Sequence, residues 1–128
     1  MGMNNTVIPK LIVRGAADAI TFYVEVFSAR EQKRHAEGGC IVNATLTVGN
    51  SSFALAEETP QWHNHAPVSL GGSPVILTLC VDDPDAVCAR AVARGAKVIF
   101  PIADQAYGHR AGRIQDPFGH VWILDKPL

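Results

Sequence analysis

Apolar and polar positions alternate most clearly over residues 40–48. There Val42, Ala44, Leu46 and Val48 fall on one side, and Asn43, Thr45 and Thr47 on the other. Alternation of period two predicts a half-buried strand. After the turn at Gly49-Asn50, a second β-rich run covers residues 51–57. Upstream, residues 7–13 form a short β-rich run. Residues 16–28 then carry Ala19, Ile20, Tyr23 and Phe27 at helical spacing. Residues 31–35 are mostly polar and predict an edge strand. The second half repeats the plan. Strand 75–81 is followed by a helix over 85–94, with Pro84 at its start and Gly95 at its stop. Strands 97–102, 110–115 and 120–125 complete it. The last two are joined by Asp116-Pro117-Phe118-Gly119, in which Pro fixes φ, Gly accepts positive φ and Asp caps the turn.

The halves align with Val13 on Val81 and without a gap, so that Thr45 falls on Arg113, Thr47 on Gln115, Phe53 on Val121 and Leu55 on Ile123. Identity is low, and the order of elements carries the match. The expected organisation is one domain over residues 1–128: a first module at 7–58, a linker at 59–73 rich in Pro, Gly, His and Ser, and a second module at 74–126.

Bulk properties narrow the classes. A 128-residue chain with 48% hydrophobic residues has enough apolar surface for a core. Its net charge of -1 supplies no field to recruit nucleic acid or an acidic membrane, and no run spans a bilayer. The first six residues lack a signal-peptide pattern, and Cys40, Cys80 and Cys88 lack CxxC spacing. These features predict a cytoplasmic protein with reduced core thiols and no catalytic cysteine.

Candidate ligand-binding positions cluster on the strands. Asn43, Thr45, Thr78 and Gln115 form a polar set, and Phe53, Leu55 and Ile123 stand beside it as apolar neighbours. That mixture describes either a pocket for an amphipathic molecule or an open trough meeting solvent. Arg113 alternates with Ile114, so it faces away from the core. It offers a fork of donors to an anionic or carbonyl group, or it pairs with Asp116 or Asp104. Tyr107 and His109 stand just before this strand, and His109 is able to titrate usefully. Trp62 serves either as a lid over a flat ligand or as a pin for the linker. His63 and His65 lack an acidic or Cys partner nearby in sequence and read as linker residues.

The passages Ile8-Pro9-Lys10-Leu11-Ile12-Val13, Ala19-Ile20-Thr21-Phe22-Tyr23, Leu70-Gly71-Gly72-Ser73-Pro74, Val81-Asp82-Asp83 and Ala93-Arg94-Gly95-Ala96, together with the terminal hairpin, carry a family resemblance. In that order and spacing the chain resembles the vicinal oxygen chelate superfamily, the glyoxalase, bleomycin-resistance and extradiol-dioxygenase proteins. Within it the chain looks most like the PhnB-like, bleomycin-resistance-type branch. The resemblance implies an α+β fold: two βαβββ modules forming curved mixed sheets around a cleft, helices on the convex side, usually in a homodimer. It also implies four metal-ligand positions, which fall by register on Ile8, Leu55, Ile76 and Ile123. An alkyl group donates nothing to a divalent ion. No metal and no cofactor is therefore expected. Asn43 and Thr45 stand where close relatives often carry His and Glu, which removes an acid/base pair from that strand.

The resulting expectation is a metal-free protein that sequesters a largely planar or amphipathic small molecule. It is expected to pair with itself through edges such as residues 31–35. The competing expectation is an enzyme of the lyase, isomerase or dioxygenase type. That enzyme would use unexpected ligands such as His63, His65 or Glu57, or an acid/base pair such as His109 with Tyr107.

Overall fold

The computed structural model describes residues 5–128. The chain divides after Asn64 into two compact units, each with one open, four-stranded mixed sheet. The fold is α+β, as the modules predict.

The first unit runs β1 (Lys10–Val13), α1 (Ala16–Phe27), β2 (Arg30–Glu37), β3 (Cys40–Val48) and β4 (Ser51–Glu57), with sheet order β1-β4-β3-β2. β1 pairs parallel with β4, and the other pairs are antiparallel. Ala44 lies opposite Leu55, and Leu46 opposite Phe53, so these four share the face covered by α1. Tyr23 anchors that core. Its ring stands edge-on to Phe22 and Phe53 and stacks on Phe27, with centroids 5.4, 5.4 and 5.6 Å away. Such pairs add to the burial of the rings themselves. The N-terminus of α1 has no side-chain cap of its own. The Glu57 carboxylate accepts the N–H groups of Gly15 (3.0 Å) and Ala16 (2.8 Å), which satisfies orphan donors and complements the helix dipole.

The second unit runs α2 (Pro67–Leu70), β5 (Ile76–Cys80), α3 (Pro84–Ala93), β6 (Lys97–Asp104), β7 (His109–Gln115) and β8 (Val121–Pro127), in sheet order β5-β8-β7-β6. Asp83 caps α3 by accepting from Ala86 N. Leu79, Val87, Ala91, Ile114, Trp122 and Leu124 form the core between α3 and the sheet. Arg110 ties β7 to α3 and β6 through Asp85 (2.7 Å) and Asp104 (2.9 Å). Its hydrogen bond holds the Asp85 carboxyl below the usual carboxylate range.

Three expectations need correction. The half-to-half register is not gapless: four residues separate the partners Thr47 and Ser52, but five separate Gln115 and Val121. The second hairpin is one residue longer, so Ile123 corresponds to Ala54, not to Leu55. Residues 59–73 are not a plain linker either. A 3₁₀ turn (Pro60–Trp62) is closed by a Thr59–Asn64 bridge, and α2 follows. Cys80 is exposed on the uncovered face of β5, whereas Cys40 and Cys88 are half-buried. Among the described residues, no helix is long and apolar enough to cross a membrane.

Candidate functional site

The uncovered face of the second sheet holds the candidate site. Arg113 lies opposite Ile123, and Ala111 opposite Asp125, so these side chains share one face. Successive residues of a strand alternate faces, which sends Ile114 and Leu124 into the core and leaves Arg113 outside it.

A cavity of about 390 Å³ opens on this face, within the range of small-molecule sites. Arg113, Phe100, Ile123, Tyr107 and Gln105 form its walls, and Ala103, Ala111 and Gly112 give it a shallow floor. The pairing of β6 with β7 is irregular between Val98 and Ala103. This irregular stretch lies against Gly112, where a Cβ would come within 2.8 Å of Ile102 N and Phe100 O. Glycine thus lets β6 close on the sheet and sets Phe100 beside Arg113. Gln105 braces the far end by donating from Nε2 to Ala111 O (3.0 Å).

Arg113 is the chemical centre of the cavity. Its guanidinium carbon lies 5.2 Å from the Phe100 ring centroid, a cation–π distance. Its Nε is buried without a hydrogen-bond partner among the described residues. Both carboxylates considered as partners are taken. Asp104 binds Arg110. Asp116 accepts from Phe118 N (2.9 Å), His120 N (3.0 Å) and Trp122 Nε1 (2.9 Å). A buried N–H without an acceptor costs roughly 1–3 kcal/mol, which an entering acceptor recovers.

A second group lies on the same face. Asp125, 8% exposed, holds His109 Nδ1 at 2.9 Å from both carboxylate oxygens. The carboxylate accepts, so Nδ1 donates, and in the neutral ring Nε2 is then the acceptor. The Tyr107 ring, itself a cavity wall, lies 5.4 Å from the His109 ring.

The remaining sequence candidates divide. Thr78 and Gln115 are on the uncovered face, since Thr78 pairs with Ile123 and Gln115 with Val121. Asn43 and Thr45 share the uncovered face of the first sheet with Ala54. Phe53 and Leu55 do not join them. They are 7% and 0% exposed in the core beneath α1, because the one-residue register error had placed them on the wrong face. Trp62 is 56% exposed on the 3₁₀ turn, so its indole is not pinned in a core. His120 is buried behind the hairpin. Phe100, Gln105 and Asp125 were missed. An aromatic residue in a strand next to a proline was a usable sign for Phe100. An acid ending the apolar run Val121–Leu124 was one for Asp125.

A family model for the Glyoxalase/Bleomycin resistance protein/Dioxygenase superfamily matches residues 3–124. The chain belongs to that superfamily. It is similar to an uncharacterized Mycobacterium tuberculosis protein, Rv0887c, with 40% identity over 124 residues, covering 94% of this chain and 73% of that protein. Among solved structures, the Arabidopsis thaliana gene product At5g48480 superimposes with a TM-score of 0.77 at 27% identity, over 95% of this chain and 98% of that one. A glyoxalase family protein of Bacillus cereus gives 0.78 at 18% identity over 100% and 97%, a likeness of fold.

The superfamily's metal positions do not fit an ion in this member. Ile8, Ile76 and Ile123 carry alkyl groups, and Ala54, which takes the place assigned to Leu55, carries a methyl. None donates an electron pair. Among the described residues, no three His, Cys, Asp or Glu side chains come together as a ligand set. Glu57 is engaged at the start of α1.

Proposed function

We propose that this superfamily member is a cytoplasmic, metal-free binding protein of the bleomycin-resistance, PhnB-like type. It holds a flat, amphipathic small molecule bearing an anionic or carbonyl group. The buried, unpartnered Nε of Arg113 at the wall of an apolar cavity carries this reading. A planar fork of donors suits a carboxylate or carbonyl, and the Phe100 and Tyr107 rings suit a flat body. Both rings are exposed, at 57% and 68%, which is costly surface unless something covers it. The partners in this reading are the small molecule and a second copy of the chain, without nucleic acid or membrane.

Native mass spectrometry of untagged protein, purified without chelator, tests it. A small organic adduct without metal is expected. Arg113→Ala is expected to lose the adduct with a melting temperature within a few degrees of wild type, because Arg113 makes no ion pair among the described residues. One stoichiometric divalent ion per chain would refute the metal-free reading. A large stability loss with the adduct retained would make Arg113 structural.

A second reading, an enzyme with a metal-free acid/base site, draws support from the Asp125-held imidazole of His109. Such a pair takes a proton at Nε2 while the carboxylate stabilises the resulting imidazolium. Turnover of an added substrate, lost in His109→Phe, would favour it over simple sequestration.

A further inference from the structure

We propose that His109, oriented by Asp125, is the acceptor for a hydroxyl of the bound molecule. The cavity then takes a flat acid whose anionic group meets Arg113 and whose hydroxyl reaches past the Tyr107 wall to His109, which lies beside that wall and outside the cavity lining. This rests on the binding reading above and adds the second pole of the ligand.

His109, Ala111 and Arg113 follow one another on the same face of β7. At about 3.3 Å per residue, His109 and Arg113 have Cα atoms roughly 13 Å apart. The position between them is Ala111, and its neighbour on β6 is Ala103. Two methyl groups leave the space between the poles open, and both line the cavity. At the Arg113 end stands Phe100, and at the other end Tyr107, packed beside His109. A flat molecule lying along β7 therefore meets an aromatic wall and a polar group at each end.

The two poles differ in hydrogen-bond sense. Arg113 only donates. At His109, Asp125 occupies Nδ1, so in the neutral ring Nε2 presents a lone pair, and no described residue donates to it. Asp125 is buried and its side chain has no other hydrogen-bond partner among the described residues, so its contribution is to orient the His109 ring with Nδ1 donating. A donor-only pole and an acceptor pole across an apolar floor select an acid that also carries a hydroxyl. Two identical anionic ends would leave the lone pair facing a negative charge.

Paired probes test this: benzoate, phenylacetate and 3-phenylpropanoate, each against its 4-hydroxy derivative, by isothermal titration calorimetry. At least one 4-hydroxy acid is expected to bind about tenfold tighter than its partner, the gain of one well-formed hydrogen bond to a half-buried group. The difference is expected to vanish in His109→Phe/Asp125→Leu, which removes the pair together and leaves no unpaired buried carboxylate. Arg113→Ala is expected to weaken every probe. Equal binding within all pairs, with Arg113→Ala still weakening them, would overturn the hydroxyl pole and leave the anion site standing. No binding, or binding indifferent to Arg113→Ala, would overturn both readings. Nitrogen-15 NMR of the wild-type protein gives a check that needs no variant. His109 is expected as the Nδ1–H tautomer, with its Nε2 resonance moved by the 4-hydroxy acid and not by its partner. An Nε2–H tautomer sinks the proposal.

Discussion

Asp116 shows how much one side chain organises here. It is 3% exposed and accepts two backbone N–H groups and the Trp122 indole N–H. The sequence Asp-Pro-Phe-Gly reveals the turn cap, because Asx capping acts over two to four residues. It does not reveal the indole partner, which depends on the register of β8 against β7. Asp116→Ala removes the carboxylate that accepts from the Trp122 indole N–H and the His120 N–H, both buried. At roughly 1–3 kcal/mol for each such group, a loss of about 3 kcal/mol is expected in urea denaturation. A change below 1 kcal/mol would show that the hairpin holds without this cap. The two readings of Arg113 left open by sequence separate on the same ground. Asp116 and Asp104 both have other partners, and an isolated sequence cannot say which carboxylate a given arginine reaches.

Among the elements, the irregular strand β6 decides the shape of the site. The period-two pattern locates β3 and β7 well, since one face of each is core and the other is not. β6 breaks the rule. It exposes Val98, Ile99 and Phe100 in succession, and its pairing slips twice against β7. No alternation marks such a strand, which is why Phe100 was not recognised as a wall of the cavity. Gly112 is the other half of the arrangement. A methyl group there would stand 2.7 Å from Ile102 Cδ1 and 2.8 Å from two backbone atoms, and backbone does not yield as a side-chain tip does. Gly112→Ala is expected to cost about 1–3 kcal/mol, as overpacking does, and to weaken carboxylate binding by displacing Phe100 from Arg113. Wild-type stability with unchanged probe affinity would show that β6 relaxes freely. The hairpin lengths carry a similar lesson. One extra residue between β7 and β8 inverts the faces of every position that a gapless repeat assigns to β4. Phe53 and Leu55 were misplaced for that reason, although the strand itself was legible.

For the whole molecule, the order of elements and the two-fold repeat were readable because each module alternates strand and helix patterns of opposite period. Which edge would join one copy to another was not readable, because it depends on which edge is left attractive. The sequence draws attention to residues 31–35, yet β2 is a guarded edge. Lys33, Arg34 and their neighbours are exposed along it, and its pairing with β3 is interrupted twice. Charge and bulges are the usual protection of an edge strand against further pairing. β6 is the corresponding edge of the second sheet, with Val98 46%, Ile99 41% and Phe100 57% exposed and few charges among them. If the chain pairs with itself, the apolar edge gains more than the charged one. Size-exclusion chromatography with light scattering is expected to give about twice the 13.7 kDa chain mass. Ile99→Lys, which places a charge in the apolar edge, is expected to shift the mass to that of one chain, while Lys33→Ile leaves the dimer intact. A monomer at every concentration would remove self-association from the proposed function. A dimer insensitive to Ile99→Lys but lost in a β2 variant would return the interface to residues 31–35.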